Sequence, residues 1–172
     1  MRESNLNLCE SNTHFSNIAR EIIEFLIRTN QIIAVAESCT GGAISYAFSQ
    51  ISGASSVFRG GIVCYQNAIK ERVLGIDSAI LAQKSAYSAE VVDLMLVRIC
   101  EIMDSDFAIA TSGIAGPNGG SDEMPVGTIF IGIKKRDEES TIKKVHFDGN
   151  RAEIQAQAVR FALELFKNTF GV

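Results

Sequence analysis

The sequence holds few of the residues that build metal sites or disulfide-stabilised folds. It has two histidines and four cysteines among 172 residues. The cysteines form no CxxC pair, which argues against a zinc ribbon and against a compact disulfide framework. Two histidines make a His-rich metal site unexpected as well. We therefore expect a protein of a reducing cytoplasm that uses no metal or organic cofactor.

Long apolar runs and a strong charge of either sign are also missing. No segment approaches the roughly 20 apolar residues of a membrane-spanning helix, and the polar residues 1–13 lack the apolar core of a signal peptide. The formal net charge of −4 gives no general attraction to nucleic acid or to an anionic membrane. We expect neither as a partner, and a small anionic ligand would need a local cationic site.

Short apolar segments are plentiful. The chain is 47% hydrophobic and 21% charged, as globular proteins are, and its length favours one domain. The pattern predicts helices that alternate with short strands, the last two strands being joined as a hairpin. It therefore indicates an α/β layered domain with a mixed sheet. The strands are predicted over residues 32–36, 60–65, 107–110, 126–133 and 142–147.

The first motif with chemical content is Glu37-Ser-Cys-Thr-Gly-Gly42, at the predicted junction of a strand and a helix. Ligands bind at the carboxyl ends of strands in open α/β sheets, and a helix N-terminus offers N–H groups to an anion. The same residues also suit a plain helix cap formed by Ser38 or Thr40. Spacing leaves Ser38 and Cys39 both open as nucleophile, because a thiol at a helix N-terminus can have a lowered pKa.

A second segment, Gly60-Gly-Ile-Val-Cys-Tyr-Gln-Asn-Ala-Ile-Lys70, places Tyr65 at a strand end and Lys70 near the start of a helix. The chain has no GxSxG motif, and neither histidine suits a Ser-His-Asp triad. Lys70 is therefore the best candidate base if a serine is activated. The alternative is an exposed lysine beside a core tyrosine.

A glycine-rich segment over residues 111–120 is the third feature. It lacks the spacing of a P-loop or of a dinucleotide fingerprint. Its backbone N–H groups can still form an anion-binding nest. An ordinary tight loop is the alternative.

Four motifs, in this order, resemble the CinA C-terminal domain family: Ala36-Glu-Ser-Cys-Thr-Gly-Gly42, the segment from Gly60 to Lys70, Ser112-Gly-Ile-Ala-Gly-Pro-Asn-Gly-Gly120 and Pro125-Val-Gly-Thr128. That family includes stand-alone nicotinamide-nucleotide amidases of bacteria. The resemblance runs from about Phe15 to Phe170. It implies a three-layer α/β/α sandwich over residues 15–172 after a polar N-terminal arm over 1–14, assembled as a homodimer or higher homo-oligomer.

The resemblance also implies an activity, which is hydrolysis of nicotinamide mononucleotide to nicotinate mononucleotide and ammonia. Ser38 would be the nucleophile, activated by Lys70 and Tyr65, and N–H groups from Cys39 to Gly42 would face the oxyanion. Burial and the nearby helix start would both lower the pKa of Lys70. The predicted substrate-binding residues are Thr40, Gly41, Gly42, Asn67, Thr111, Ser112, Gly113, Gly116, Gly119, Gly120 and Arg151.

The sequence departs from the family pattern at Ser85-Ala-Tyr-Ser88, where members often have Gly-Ala-Val-Ser, and this departure can alter a pocket wall. Two other functions stay open at this point. One is a non-catalytic module that binds a nucleotide. The other is an interaction module related to competence or DNA damage, which rests on the family's name.

Overall fold

The computed structural model describes residues 3–172, with side chains from Phe15 onward. Those residues form six helices and five strands, and a short 3-10 helix, Ala54–Ser56, precedes the second strand. The helices are α1 (Glu3–Thr29), α2 (Ala43–Ser49), α3 (Asn67–Arg72), α4 (Ser78–Lys84), α5 (Ala89–Met103) and α6 (Arg151–Phe170). The strands are β1 (Ile33–Glu37), β2 (Phe58–Val63), β3 (Phe107–Gly113), β4 (Thr128–Lys135) and β5 (Thr141–His146).

The five strands form one mixed sheet in the order β2-β1-β3-β4-β5. Strand β1 runs parallel to both β2 and β3, with Glu37 opposite Val63 on one side and Thr111 on the other. Strands β4 and β5 are antiparallel to their neighbours, as the predicted hairpin requires. The carboxyl ends of β1, β2 and β3 therefore meet at one edge of the sheet.

Helices cover both faces of this sheet. Alternate residues of β1 and β3 point to opposite faces, as the period of a strand requires. Ile33 and Phe107 pack against α1 and α6, whereas Ala34 and Ala108 pack against α5. The expected three-layer α/β/α sandwich is confirmed.

Strands β2 and β4 are shifted by two residues from the predicted ranges, and two other elements differ more. Strand β3 continues past Ala110 to Gly113 because the hydroxyls of Thr111 and Ser112 are buried and hydrogen-bonded there. Helix α4, which was not predicted, begins after Asp77, whose side chain accepts the Ala79 N–H at 2.7 Å.

Helix α1 begins at Glu3, so it includes most of the segment 1–14 that the sequence predicts as a polar arm. Residues 1 and 2 lie outside the described residues, and the boundary of the arm stays a prediction. None of the described helices combines the length and the apolar character that crossing a membrane requires.

Candidate active site

Ser38 directly follows β1 and lies at the sheet edge where three strands end. Its N–H donates to the Thr111 carbonyl at 3.0 Å, which extends the parallel pairing of β1 and β3 by one residue. The Nζ of Lys70 lies 3.2 Å from the Ser38 hydroxyl and donates to the Cys64 carbonyl at 3.1 Å. The fold thus brings together Ser38 and Lys70, which are 32 residues apart.

Lys70 is almost completely buried, with 1% of its surface exposed. Burial lowers the pKa of its amine below the ordinary value, because the charged form loses its hydration. No carboxylate forms an ion pair with Lys70 among the residues whose side chains are described. Lys70 is the fourth of six residues in α3, so burial rather than the helix start causes the shift. A lysine in this setting favours the neutral amine, which can accept a proton.

Cys39, the other candidate nucleophile, is also buried. Burial raises the pKa of its thiol to about 12, so the thiol stays protonated near neutral pH. The Cys39 carbonyl accepts a hydrogen bond from Gln155 of α6 at 2.7 Å, which ties the Ser38 loop to that helix.

Glu37 fixes the conformation of the loop that carries Ser38. Its carboxylate is fully buried and accepts five hydrogen bonds. The donors are the Thr40 hydroxyl at 2.7 Å, the N–H groups of Gly42 and Ile44 at 3.1 Å each, the Ser45 N–H at 2.8 Å and the Ser45 hydroxyl at 2.7 Å. Sequence reasoning gave Glu37 no role, although an acidic residue just before a helix was a usable signal.

The position of Glu37 changes the expected oxyanion site. The Gly42 N–H is occupied by Glu37, and the Gly41 N–H donates to the Ser38 carbonyl at 3.2 Å. The expectation that these two groups face the oxyanion is therefore wrong. Within residues 15–172, the N–H groups of Cys39 and Thr40 make no hydrogen bond and remain available.

Three of the residues that were predicted to bind substrate, Thr40, Thr111 and Ser112, have hydroxyls that point into the protein. The Thr40 hydroxyl donates its proton to Glu37, so at 2.8 Å it accepts from Thr111. The Ser112 hydroxyl donates to the Ala86 carbonyl at 2.7 Å. All three are buried and connect neighbouring segments.

A cavity of about 150 Å³ lies beside Ser38. Of the predicted site residues, Ser38, Tyr65, Gly113, Gly116, Gly119 and Arg151 line it. The other lining residues are Cys39, Tyr87, Ile114, Ala115 and Asn118. Seven predicted substrate-binding residues are not part of this wall: Thr40, Gly41, Gly42, Asn67, Thr111, Ser112 and Gly120.

Tyr65 and Arg151 meet at the mouth of the cavity. Arg151 donates to the Tyr65 hydroxyl and to the Gly116 carbonyl, both at 2.7 Å. The Tyr65 hydroxyl makes no hydrogen bond to Ser38 or Lys70, and 54% of the residue is exposed. No carboxylate pairs with Arg151 among the side chains that the structure describes. Arg151 therefore places a positive charge with unused N–H donors beside the cavity.

Two glycines allow the chain to pass close to β4 at this cavity. Gly113 has φ +154°, and a Cβ there would lie 2.5 Å from the Thr128 carbonyl oxygen. Gly116 has φ +78°, and its Cβ would lie 2.4 Å from a methyl group of Val126. A side chain at either position would displace the loop, which explains glycine there.

A larger cavity, of about 610 Å³, adjoins this one and shares Ala115 and Arg151 with its wall. Two other large cavities lie elsewhere and carry no comparable pair. One of about 670 Å³ is lined by α5 and the β4–β5 turn, and one of about 500 Å³ lies between α1, α2 and α6. Among the residues that the structure describes, no three His, Cys, Asp or Glu side chains form a group that could hold a metal ion.

Comparisons with known proteins agree with the resemblance drawn from the four motifs. Residues 15–170 match the family model described as the CinA C-terminal domain. A nicotinamide-nucleotide amidohydrolase, PncC, from Enterobacter agglomerans is 41% identical over 132 residues, which cover 77% of this chain and 80% of that protein. A CinA-like protein from Prochlorococcus marinus (strain MIT 9215) is 43% identical over 144 residues. Those residues cover 83% of this chain but 34% of the relative, so the chain spans about a third of the length of several curated relatives.

Solved structures show the same fold. The competence/damage inducible protein CihA from Agrobacterium tumefaciens superposes with a TM-score of 0.87 and 35% identity, covering 90% of this chain and 94% of that one. A CinA superfamily protein from Escherichia coli gives a TM-score of 0.86 and 29% identity, with 90% of each chain covered.

Proposed function

Because this chain belongs to the CinA C-terminal domain family, we propose that it hydrolyses the carboxamide of nicotinamide mononucleotide. The products are nicotinate mononucleotide and ammonia. The observation that carries the proposal is the buried Lys70 amine 3.2 Å from the Ser38 hydroxyl, at the edge of the sheet where a cavity opens. The name and coverage of the Enterobacter agglomerans amidohydrolase support the substrate.

Ser38 is the nucleophile in this proposal. A serine hydroxyl attacks an amide only when a base removes its proton. Lys70 is in contact with Ser38, and its lowered pKa favours the neutral amine that can take this proton. Cys39 is a poorer choice because its thiol, with a pKa of about 12, is protonated near neutral pH.

The reaction then follows the two steps of acyl transfer. As the Ser38 oxygen bonds to the amide carbon, its proton passes to Lys70. The carbon–nitrogen bond breaks, Lys70 returns the proton to the departing nitrogen, and ammonia leaves. Water next attacks the ester, giving one proton to Lys70, which returns it to the Ser38 oxygen. The N–H of Cys39, a residue of the cavity wall, makes no hydrogen bond within residues 15–172 and is the donor of this loop that is available to the oxyanion.

The substrate's phosphate is assigned to Arg151 and the adjoining glycine-rich loop. Arg151 has no carboxylate partner among the described side chains and keeps free N–H groups at the cavity mouth. A guanidinium binds phosphate through paired hydrogen bonds. The Tyr65 hydroxyl accepts from Arg151, which supports a role for Tyr65 in orienting Arg151 rather than in activating Ser38.

A non-catalytic nucleotide-binding module is the competing function. Such a module could use Arg151 and the glycine loop, but it would not need a buried lysine against a serine. Burying an amine without an ion-pair partner costs stability, which a purely binding function does not require. The homo-oligomer that the family resemblance implies remains part of the proposal, with a small-molecule nucleotide as the ligand.

Ammonia release tests the proposed function. The purified protein is incubated with nicotinamide mononucleotide, and ammonia and nicotinate mononucleotide are measured together. We expect both products in equal amounts from the wild type and neither from Ser38→Ala. Binding of the nucleotide without release of ammonia would instead establish the binding module.

A further inference from the structure

Tyr87 occupies one wall of the cavity and has no part in the function proposed so far. It lines the cavity with Ser38, and 36% of the residue is exposed. Its hydroxyl makes no hydrogen bond among residues 15–172. Tyr87 therefore contributes a partly exposed aromatic side chain to the wall of the cavity.

The backbone on both sides of Tyr87 is held in place. The preceding residue, Ala86, accepts a hydrogen bond from the buried Ser112 hydroxyl at 2.7 Å, which ties it to the end of β3. The following residue, Ser88, caps α5 by accepting the Val91 N–H at 3.2 Å. An aromatic side chain between two anchored residues loses little conformational freedom when it contacts a ligand.

The substrate's ring must lie close to this wall. The carboxamide carbon is bonded directly to the pyridine ring, so the ring enters the same cavity of about 150 Å³ when that carbon reaches Ser38. In the mononucleotide this ring is a cation, because its nitrogen carries the ribose. No acidic side chain from residues 15–172 lines the cavity, and Arg151 contributes a positive charge at its mouth. The aromatic faces of Tyr65 and Tyr87 are groups of this wall that can attract a cation, and the Tyr65 hydroxyl is already bound to Arg151.

We propose that Tyr87 packs its ring face against the pyridinium ring of the substrate and so selects the charged, N-glycosylated form of nicotinamide. This inference rests on the proposed function and adds a specificity-determining residue to it. Cation–π contacts of about 0.5–2 kcal/mol correspond to a loss of about two- to thirtyfold in affinity when the ring is removed.

The test compares Tyr87→Leu with Tyr87→Phe, using KM and kcat for nicotinamide mononucleotide. We expect Tyr87→Leu to raise KM about two- to thirtyfold with a smaller change in kcat. Tyr87→Phe keeps the ring face and should recover most of the affinity. Tyr46→Leu is the matched control, because Tyr46 is a more exposed tyrosine on α2 that lies outside this cavity. Thermal unfolding of each variant checks that the fold is retained.

The reduced dihydronicotinamide mononucleotide separates charge selection from simple shape. It keeps the carboxamide, ribose and phosphate but has an uncharged, non-aromatic ring, and its binding is measured by competition. The proposal is supported if Tyr87→Leu weakens binding of this reduced ligand less than it weakens binding of nicotinamide mononucleotide. It is also supported if the reduced ligand does not compete at all. An equal loss for both ligands, an unchanged KM in Tyr87→Leu or no recovery in Tyr87→Phe would overturn it. A wild type that releases no ammonia would overturn the proposed function itself.

Discussion

The two sides of the candidate site differ in their contact with water. Ser38 and Lys70 are almost completely buried, whereas Tyr65 and Tyr87 are exposed. Burial on the first side lowers the pKa of an amine and holds a serine against it. Exposure on the second side leaves charge and aromatic surface open to a ligand. Proton transfer and ligand recognition are thus assigned to two separate environments.

The largest expected effect comes from removing the hydroxyl on the buried side. Ser38→Ala should lower kcat/KM for nicotinamide mononucleotide by at least about a thousandfold, as the loss of a nucleophile does. Cys39→Ala, at the neighbouring position, should retain activity within about tenfold. Ammonia release by both variants is the measurement. Activity lost in Cys39→Ala and kept in Ser38→Ala would reverse the assignment.

Lys70→Met should also lower kcat/KM for ammonia release by at least about a thousandfold, because no base remains for Ser38. The same change should stabilise the fold. Since the folded protein lowers the pKa of Lys70, the unfolded chain binds more protons below the ordinary lysine value of about 10.4, and wild-type stability falls as the pH falls. This loss is complete below the lowered pKa.

Chemical unfolding across a pH series measures this stability difference. The free energy of unfolding of Lys70→Met should exceed that of the wild type. The difference should grow as the pH decreases from about 10.4 and then become constant. A difference independent of pH would show that Lys70 titrates alike in the folded and unfolded chain. Lys84→Met, at an exposed lysine of α4, is the matched control.

On the exposed side, Arg151→Ala should reduce kcat/KM for the nucleotide by about ten- to hundredfold, the loss of a charged hydrogen bond of about 1.5–3 kcal/mol. For nicotinamide riboside, which lacks the phosphate, the same substitution should reduce kcat/KM much less. Arg160→Ala is the matched control, since Arg160 lies on the same helix and pairs with Glu164. Equal losses for nucleotide and riboside would show that Arg151 does not bind the phosphate.

A smaller effect is expected from Glu37→Gln, which changes the support of the buried side. Each carboxylate oxygen of Glu37 accepts from at least one backbone N–H, which can only donate, so an amide NH₂ at either position leaves a buried donor without an acceptor. The free energy of unfolding should fall by about 2–3 kcal/mol, as measured by chemical denaturation. Unchanged stability would show that the loop does not depend on these hydrogen bonds.

Sequence reasoning predicted the fold class because the strands are short, apolar and bounded by polar residues. It also made Lys70 the candidate base, because neither histidine suited that role, whereas the choice of Ser38 over Cys39 came from the family resemblance. The inward direction of the Thr111 and Ser112 hydroxyls depends on how far β3 continues, which composition does not indicate. The contact between Tyr65 and Arg151 joins residues 86 positions apart, so no local pattern reveals it.

Direct titration of Lys70 tests the central claim, which is that burial beside Ser38 makes this lysine a neutral base. The ε-nitrogen resonances are followed by NMR over pH, and the signal missing in Lys70→Met identifies Lys70. We predict a pKa clearly below the ordinary lysine value of about 10.4, and a rise of kcat/KM with pH that follows the same titration. A Lys70 amine that titrates at the ordinary value would contradict it.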